Sequence, residues 1–128
     1  MKALLDTHVL LWWVLDDDRL SPRAAELLSD AGSELYFSAA SAWELSIKAQ
    51  LGRLRLPESP DRFLLEQLRQ NRIAELPVSI VHALHVLALP PHHRDPFDRL
   101  LVAQSRIESL PLVTADPLIS RYQVETIW

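Results

Sequence analysis

The sequence contains no cysteine and only two glycines, Gly32 and Gly52, among its 128 residues. Without cysteine the chain has no disulfide, no thiolate metal site and no cysteine nucleophile. Two isolated glycines cannot form the glycine-rich phosphate loop of dinucleotide-binding proteins or of P-loop NTPases. They also exclude a serine nucleophile flanked by glycines on both sides.

Long apolar runs and an excess of positive charge are also missing. The longest apolar run, residues 9–15, is much shorter than the roughly 20 residues that a membrane-spanning helix needs. Asp6 interrupts the N-terminal stretch that would otherwise resemble a signal peptide, so we expect a cytoplasmic protein. The net charge of −4 argues against nucleic-acid binding by bulk positive charge. Any nucleic-acid chemistry therefore requires a metal ion or a local basic patch.

The composition is that of one ordinary globular domain. Hydrophobic residues make up 48% of the chain and charged residues 23%, which is typical of a folded protein and not of a disordered one. We find no repeat, no low-complexity tract and no linker long enough to divide the chain. The sequence therefore predicts a single domain over residues 1–128.

Apolar runs alternate with amphipathic segments along the chain. Strands are predicted at residues 2–5, 34–38, 73–78, 110–114 and 124–128, and helices at 8–15, 23–30, 41–50, 60–71, 79–88 and 96–108. Strands that alternate with helices pair in parallel through right-handed crossovers. We therefore expect a three-layer α/β/α fold with a mostly parallel central sheet, whose functional crevice lies beyond the carboxyl ends of the strands.

Four acidic residues fall at those carboxyl ends or in the helices that follow them: Asp6, Glu44, Asp98 and Asp116. Each alone has a structural explanation, because aspartate is a common helix cap and Glu44 completes a capping box with Ser41. Asp95 is placed to cap the helix that contains Asp98.

The four acids taken together favour a metal site. Clustered carboxylates raise one another's pKa and destabilise a fold unless a cation lies between them. An all-oxygen ligand set without cysteine suits Mg²⁺ or Mn²⁺. Such an ion activates a water and neutralises a phosphate under attack, so the cluster indicates metal-assisted hydrolysis of phosphodiesters.

Four segments resemble motifs of the PIN-domain ribonucleases, and among these the VapC-type toxins of bacterial toxin–antitoxin systems. They are LLDTHVLLW at residues 4–12, SAASAWELSIK at 38–48, HRDPFDRLLVAQ at 93–104 and LVTAD at 112–116. The resemblance implies a PIN-like fold, endoribonuclease activity on RNA with Mg²⁺ or Mn²⁺, a cognate antitoxin partner and a homodimer. It implies that the catalytic and metal-binding acids are Asp6, Glu44, Asp98 and Asp116.

Further residues of these motifs are expected to support the acids. Asp98 matches the family's third acid because it directly precedes the segment RLLVAQ, which leaves Asp95 as a cap or an outer residue. Thr114 is expected to orient Asp116 or to bind a water of the ion. Thr7 and Ser38 are expected to act in a similar way.

Other polar residues have weaker claims to a function. We expect His92, His93 and Arg94 to form a solvated polar loop, although contact with RNA phosphates is an alternative. Lys48, Arg53 and Arg55 are expected to be ordinary surface charges, and guidance of a phosphate backbone is the alternative. The remaining candidates, His82 and His85, are expected to be structural.

The helix predicted at residues 8–15 has no polar face. One stripe contains Leu10, Trp13 and Val14 and the other contains Leu11, Trp12 and Leu15, so we expect one stripe to pack on the sheet and the other to bind a partner. A second chain or an amphipathic antitoxin helix would fit such a surface.

Two other functions remain compatible with these acids. A phosphotransfer or phosphatase domain also places aspartate at a strand end, but here no second acid follows Asp6 two residues later. A non-catalytic interaction module, in which the acids only cap helices, is the other alternative.

Overall fold

The structure, a computed structural model, describes all residues from Met1 to Trp128. Five strands form one sheet in the order β3-β2-β1-β4-β5, and every neighbouring pair is parallel. The strands are β1 (Lys2–Leu5), β2 (Glu34–Ser38), β3 (Ile73–Leu76), β4 (Leu112–Val113) and β5 (Thr126–Ile127). The prediction of a mostly parallel sheet is confirmed.

Six α-helices connect and cover the strands. They are α1 (Thr7–Val14), α2 (Pro22–Ser29), α3 (Ala39–Gln50), α4 (Pro60–Gln70), α5 (Ile80–His85) and α6 (Pro96–Glu108). Short 3₁₀ turns follow at Val86–Ala88 and Ile119–Arg121. Ser21 caps α2 by accepting a hydrogen bond from the Ala24 N–H, with Pro22 at the first helical position. No helix is both long enough and apolar enough to cross a membrane.

The two faces of the sheet are buried in two separate apolar cores. Alternating residues of β1 point in opposite directions, so Ala3 and Leu5 belong to one core and Leu4 to the other. The first core includes α1, α2 and α3, and the second includes α6 and the turn at Ile119–Arg121. Helices therefore cover both faces of the sheet, and the three-layer α/β/α prediction is confirmed.

Three of the predicted strands are shorter in the structure, and the first of them, predicted at residues 73–78, is β3, Ile73–Leu76. The strand predicted at residues 110–114 is β4, Leu112–Val113, and the strand predicted at 124–128 is β5, Thr126–Ile127. Leu110 is buried, although it lies outside the strand. The hydrophobic pattern therefore predicted which segments are buried, but not how many of their residues form strand hydrogen bonds.

Helix α1 does not divide into the two apolar stripes that the sequence predicts, because residues of both stripes are buried. Leu10 and Leu11 are both buried in the first core, against which Trp13 and Val14 also pack. Trp12 lies on the other side, beside Trp128 and below the Arg19 guanidinium. The strongest exposure of apolar side chains occurs instead on α5 and the turn after it, where Ile80 is 79% and Leu87 is 87% exposed.

Candidate metal centre

Asp6 lies at the point where the chain changes direction across the sheet. β2 and β3 lie on one side of β1, and β4 and β5 lie on the other. Asp6 therefore follows the central strand at a topological switch point of the sheet. Asp6 makes no side-chain cap to α1, so the capping explanation fails for this residue. Its Oδ2 accepts a hydrogen bond from Thr114 Oγ1 at 2.8 Å. Its Oδ1 is buried without a hydrogen-bond partner, which is costly and leaves this oxygen available to a ligand.

The predicted capping box of Ser41 and Glu44 is wrong. Helix α3 begins directly after β2, and Ser38 is its cap, accepting a hydrogen bond from the Ala40 N–H at 3.0 Å. Ser41 therefore lies inside the helix, where its hydroxyl is buried without a partner. Because the strand continues straight into the helix, the cap comes three residues earlier than the S-x-x-E pattern indicates.

Glu44 is buried and held on both sides by other residues. Its Oε1 accepts a hydrogen bond from Thr7 Oγ1 at 2.9 Å, and its Oε2 accepts one from Lys48 Nζ at 2.7 Å. Lys48 was expected to be an ordinary surface charge, but its side chain is only 33% exposed and it neutralises a buried carboxylate. The spacing of four residues between Glu44 and Lys48 on one helix was the sequence signal for this pair.

Asp95 and Asp98 divide two roles between them at the start of α6. Asp95 Oδ1 accepts hydrogen bonds from the N–H groups of Phe97 and Asp98, at 2.8 and 3.4 Å. Asp95 is therefore the helix cap, as one interpretation of the sequence had it. The Asp98 side chain takes no part in the cap of α6 and is only 15% exposed.

Asp116 and Thr114 extend the site from the end of β4. Thr114 Oγ1 donates to Asp6 and accepts the Asp116 N–H at 3.1 Å, so one hydroxyl joins the two acidic positions. Asp116 Oδ1 accepts the Leu118 N–H at 2.8 Å. Asp116 thus combines a local cap with a second oxygen, Oδ2, that faces His93.

His93 was assigned to a solvated loop, and that expectation is wrong. The side chain is 13% exposed, and its Nε2 lies 2.8 Å from Asp116 Oδ2 and 3.1 Å from Asp98 Oδ2. Its Nδ1 accepts the Asp95 N–H at 3.0 Å. His92, in contrast, packs edge-on against Tyr122, and Arg94 is exposed. Nothing in the local sequence separates the two adjacent histidines, because only the fold brings Asp116 to His93.

The carboxylates influence one another's ionisation. Burial raises the pKa of Asp6, and the neighbouring charge of Glu44 raises it further, against the lowering effect of the Thr114 hydrogen bond and of His8. Burial, together with the charges of Asp6, Asp95 and Glu44, raises the pKa of Asp98 to about 7, against a lowering effect of His93. Such shifts show that Asp6, Asp98 and Glu44 share one electrostatic environment.

The donor groups fit a divalent cation. Ligand atoms of His93, Asp98 and Asp116 lie within 4.8 Å of one another, and Thr114 links this group to the unpartnered Asp6 oxygen. Carboxylate oxygens are the donors that Mg²⁺ and Mn²⁺ prefer. The structure thus brings the four predicted acids to one edge of the sheet, with Thr7 and Thr114 between them. Ser38 serves as the α3 cap.

A groove with basic side chains adjoins this edge. It is lined by His8, Trp12, Lys48 and Arg53, and by Arg19, which is also paired with Asp17. Cationic and aromatic groups beside a cluster of acids are suited to a polyanionic chain.

Comparison with protein families identifies the architecture. Residues 3–125 match the model of the PIN domain. The chain belongs to the PIN domain family. This PIN domain is 34% identical over 115 residues to Ribonuclease VapC22 of Mycobacterium tuberculosis, across 89% of this chain and 86% of the relative. It is 32% identical to Ribonuclease VapC16 of the same organism over 59 residues, 46% of this chain and 42% of the relative.

Solved structures share the fold. VapBC2 from Rickettsia felis, crystallised with a DNA fragment from its promoter, superposes with a TM-score of 0.72 at 16% identity, across 99% of this chain and 98% of that one. A toxin–antitoxin complex from Klebsiella pneumoniae superposes with a TM-score of 0.66 at 17% identity, across 98% and 96%. At these identities the likeness concerns the fold.

Proposed function

We propose that this PIN domain is a divalent-cation-dependent endoribonuclease that hydrolyses RNA phosphodiester bonds and is the toxin of a toxin–antitoxin pair. The family and the relative named Ribonuclease VapC22 support the nuclease part of the proposal. The observation that carries it is the buried, unpartnered Asp6 Oδ1 at the switch point of the sheet, close to Asp98 with its raised pKa.

The residues that would hold the cation are Asp6, Asp98 and Asp116, with Glu44 completing the acidic set. Mg²⁺ or Mn²⁺ would supply Lewis-acid activation of a water and of the phosphate. Thr114 fixes the Asp6 carboxylate with its hydroxyl and the Asp116 backbone with its oxygen. Thr7 fixes Glu44 from α1, so the acids are oriented before any ligand arrives.

The groove lined by His8, Lys48 and Arg53 is the surface we assign to RNA. The chain is acidic overall, so a phosphate backbone requires local basic side chains, and this groove places Arg53 beside Lys48, which is paired with Glu44, at the edge of the acidic set. Trp12 adds an aromatic surface in the same groove on which a base can stack.

Assembly with other chains forms the third part of the proposal. The solved relatives from Rickettsia felis and Klebsiella pneumoniae are toxin–antitoxin complexes, which supports a cognate antitoxin for this chain. The exposed apolar side chains Ile80, Val81, Leu84 and Leu87 support a homodimer, because apolar patches of this kind are rarely left in water.

Cleavage of RNA by purified variants tests the catalytic part. The Asp6→Asn and Asp98→Asn substitutions keep the side-chain shape and remove the charge that a hard cation needs. We expect each to reduce Mn²⁺-dependent cleavage of a single-stranded RNA at least 100-fold, and we expect a chelator to abolish cleavage by the wild-type chain. Asp18→Asn, the same change at an exposed position outside the site, should cleave like wild type.

Two results would contradict the proposal. Cleavage that persists in excess chelator would show that the reaction does not need a divalent cation. Full activity of either site variant at a matched, subsaturating Mn²⁺ concentration would show that the substituted acid is not needed for cation binding or cleavage.

A further inference from the structure

We propose that the His93 imidazole closes the cation site, occupying the space between Asp98 and Asp116 until a divalent cation displaces it. This inference rests on the proposed function, since it concerns access to the same site. It assigns His93 the role of a gate and not that of a ligand.

The contacts of the ring determine which nitrogen carries hydrogen. Nδ1 accepts the Asp95 N–H at 3.0 Å, so its lone pair is occupied and the ring hydrogen belongs on Nε2. That N–H points at Asp116 Oδ2, 2.8 Å away, and Asp98 Oδ2 lies 3.1 Å from the same nitrogen. The ring therefore donates a hydrogen bond where a cation would accept electron pairs.

The same geometry excludes Nε2 as a ligand in this arrangement. Metal coordination by histidine needs a free lone pair on the coordinating nitrogen. With the Asp95 contact in place, Nε2 has none. A cation held by both Asp98 and Asp116 would need the space between their carboxylates that the Nε2–H group now fills. The ring and the ion cannot occupy it together.

The backbone of the loop is anchored, so only the side chain needs to move. The His93 N–H donates to Tyr122 Oη at 2.9 Å. Arg99 donates through Nη1 to the Pro90 carbonyl and through Nη2 to the Val86 carbonyl, at 3.1 and 3.2 Å. These contacts hold the main chain before α6, and rotation of the imidazole about its own bonds is sufficient to open the site.

The position of the Nε2–H group between Asp98 and Asp116 also explains how these two acids tolerate each other without a cation. Asp98 and Asp116 contribute oxygens that contact the same hydrogen-bond donor, which partly offsets their repulsion. Removing the donor should therefore destabilise the cation-free protein and favour the cation-bound one. A ligand histidine would produce the opposite change in affinity.

Calorimetric titration with Mn²⁺ alone tests the proposal. We expect His93→Ala to lower the apparent Kd for Mn²⁺ three- to thirty-fold and to lower the Tm measured in chelator. His93→Gln, which retains an N–H donor, should restore both values toward wild type. His92→Ala, at the neighbouring ring that contacts Tyr122 and not the acids, should leave the Kd unchanged.

Nitrogen NMR of the histidine rings gives a readout that a merely structural role would not move. In the cation-free protein we expect His93 to carry hydrogen on Nε2. On titration with Mg²⁺ its ring signals should approach those of a solvent-exposed imidazole. Loss of the Nε2 hydrogen with a coordination shift would show that His93 is a ligand and would overturn the proposal.

The failure of this inference is distinguishable from failure of the proposed function. Weaker Mn²⁺ binding by His93→Ala, with wild-type binding and cleavage intact, would overturn the gate alone. Absence of Mn²⁺ binding by wild type and by every variant would overturn the cation site and the gate together.

Discussion

At the scale of single residues, Asp98 couples ionisation to stability. Its pKa is raised to about 7 by burial and by neighbouring carboxylates, whereas a carboxyl in an unfolded chain ionises near pH 4. Between these values the folded protein binds more protons than the unfolded chain. The stability that Asp98 contributes is therefore complete below about pH 4 and is lost as the pH rises through about 7.

We expect the cation-free protein to become less stable between pH 5 and pH 7.5. The slope from one such group is at most about 1.4 kcal/mol for each pH unit, and Asp6, whose pKa is also raised, acts in the same direction. Urea unfolding in chelator at several pH values measures this slope. Asp98→Asn should flatten it, and an equal slope in that variant would assign the effect to other groups.

Sequence patterns predicted that the acids lie at one edge of the sheet, but they did not predict the contacts of those acids. Asp6, Asp98 and Asp116 could be selected because strand ends and helix starts are visible as local patterns. His93 could not, because its contacts to Asp116 span 23 residues and depend on how the chain passes around β4. Lys48 was visible as a partner of Glu44 through their spacing, yet exposed lysines at this spacing are so common that the pattern did not indicate burial.

At the scale of secondary-structure elements, the start of α3 provides a direct test of where the helix is capped. Ser38 accepts the Ala40 N–H, whereas the Ser41 hydroxyl is buried without a partner. Ser38→Ala should therefore cost about 0.5–2 kcal/mol of unfolding free energy. Ser41→Ala removes only an unsatisfied group and should be close to neutral.

Urea denaturation of the two variants side by side measures this difference. Both replacements remove one hydroxyl from a buried serine near the same helix terminus, so each is the control for the other. A larger loss in Ser41→Ala than in Ser38→Ala would restore the capping box that the sequence pattern predicts.

Element type was more predictable than element boundaries. Helix α6 has the bounds that the sequence predicts, because Asp95 and Pro96 mark its start unambiguously. β4 and β5 are short because the ladder ends where neighbouring strands end, a property of the sheet and not of either segment. The start of α3 was misplaced because Ser41 and Glu44 match the capping-box pattern, whereas the helix is capped by Ser38, the last residue of β2.

At the scale of the whole molecule, the exposed apolar residues of α5 and the following turn predict association. Leu84 is 60% exposed beside Ile80, Val81 and Leu87. Leu84→Glu should shift the chain from dimer to monomer in light scattering at micromolar concentration, with little change in Tm, because the side chain has few internal contacts to lose.

A matched substitution separates this surface from general apolar exposure. Leu65 on α4, a helix that packs against the other core, is 69% exposed, so Leu65→Glu should leave the oligomeric state unchanged. A wild-type chain that stays monomeric at high concentration would refute the homodimer.

The order of the strands has a consequence for the chain during its own synthesis. Asp6 is synthesised 108 residues before its hydrogen-bond partner Thr114, and β1 lacks its neighbour β4 until then. Closing so long a loop is slow compared with local helix formation. A nascent chain of this protein therefore carries a separated set of acids and no assembled site. The acidic site therefore assembles only after β4 and Thr114 have been synthesised, and it cannot act on anything while the residues before them are still being added.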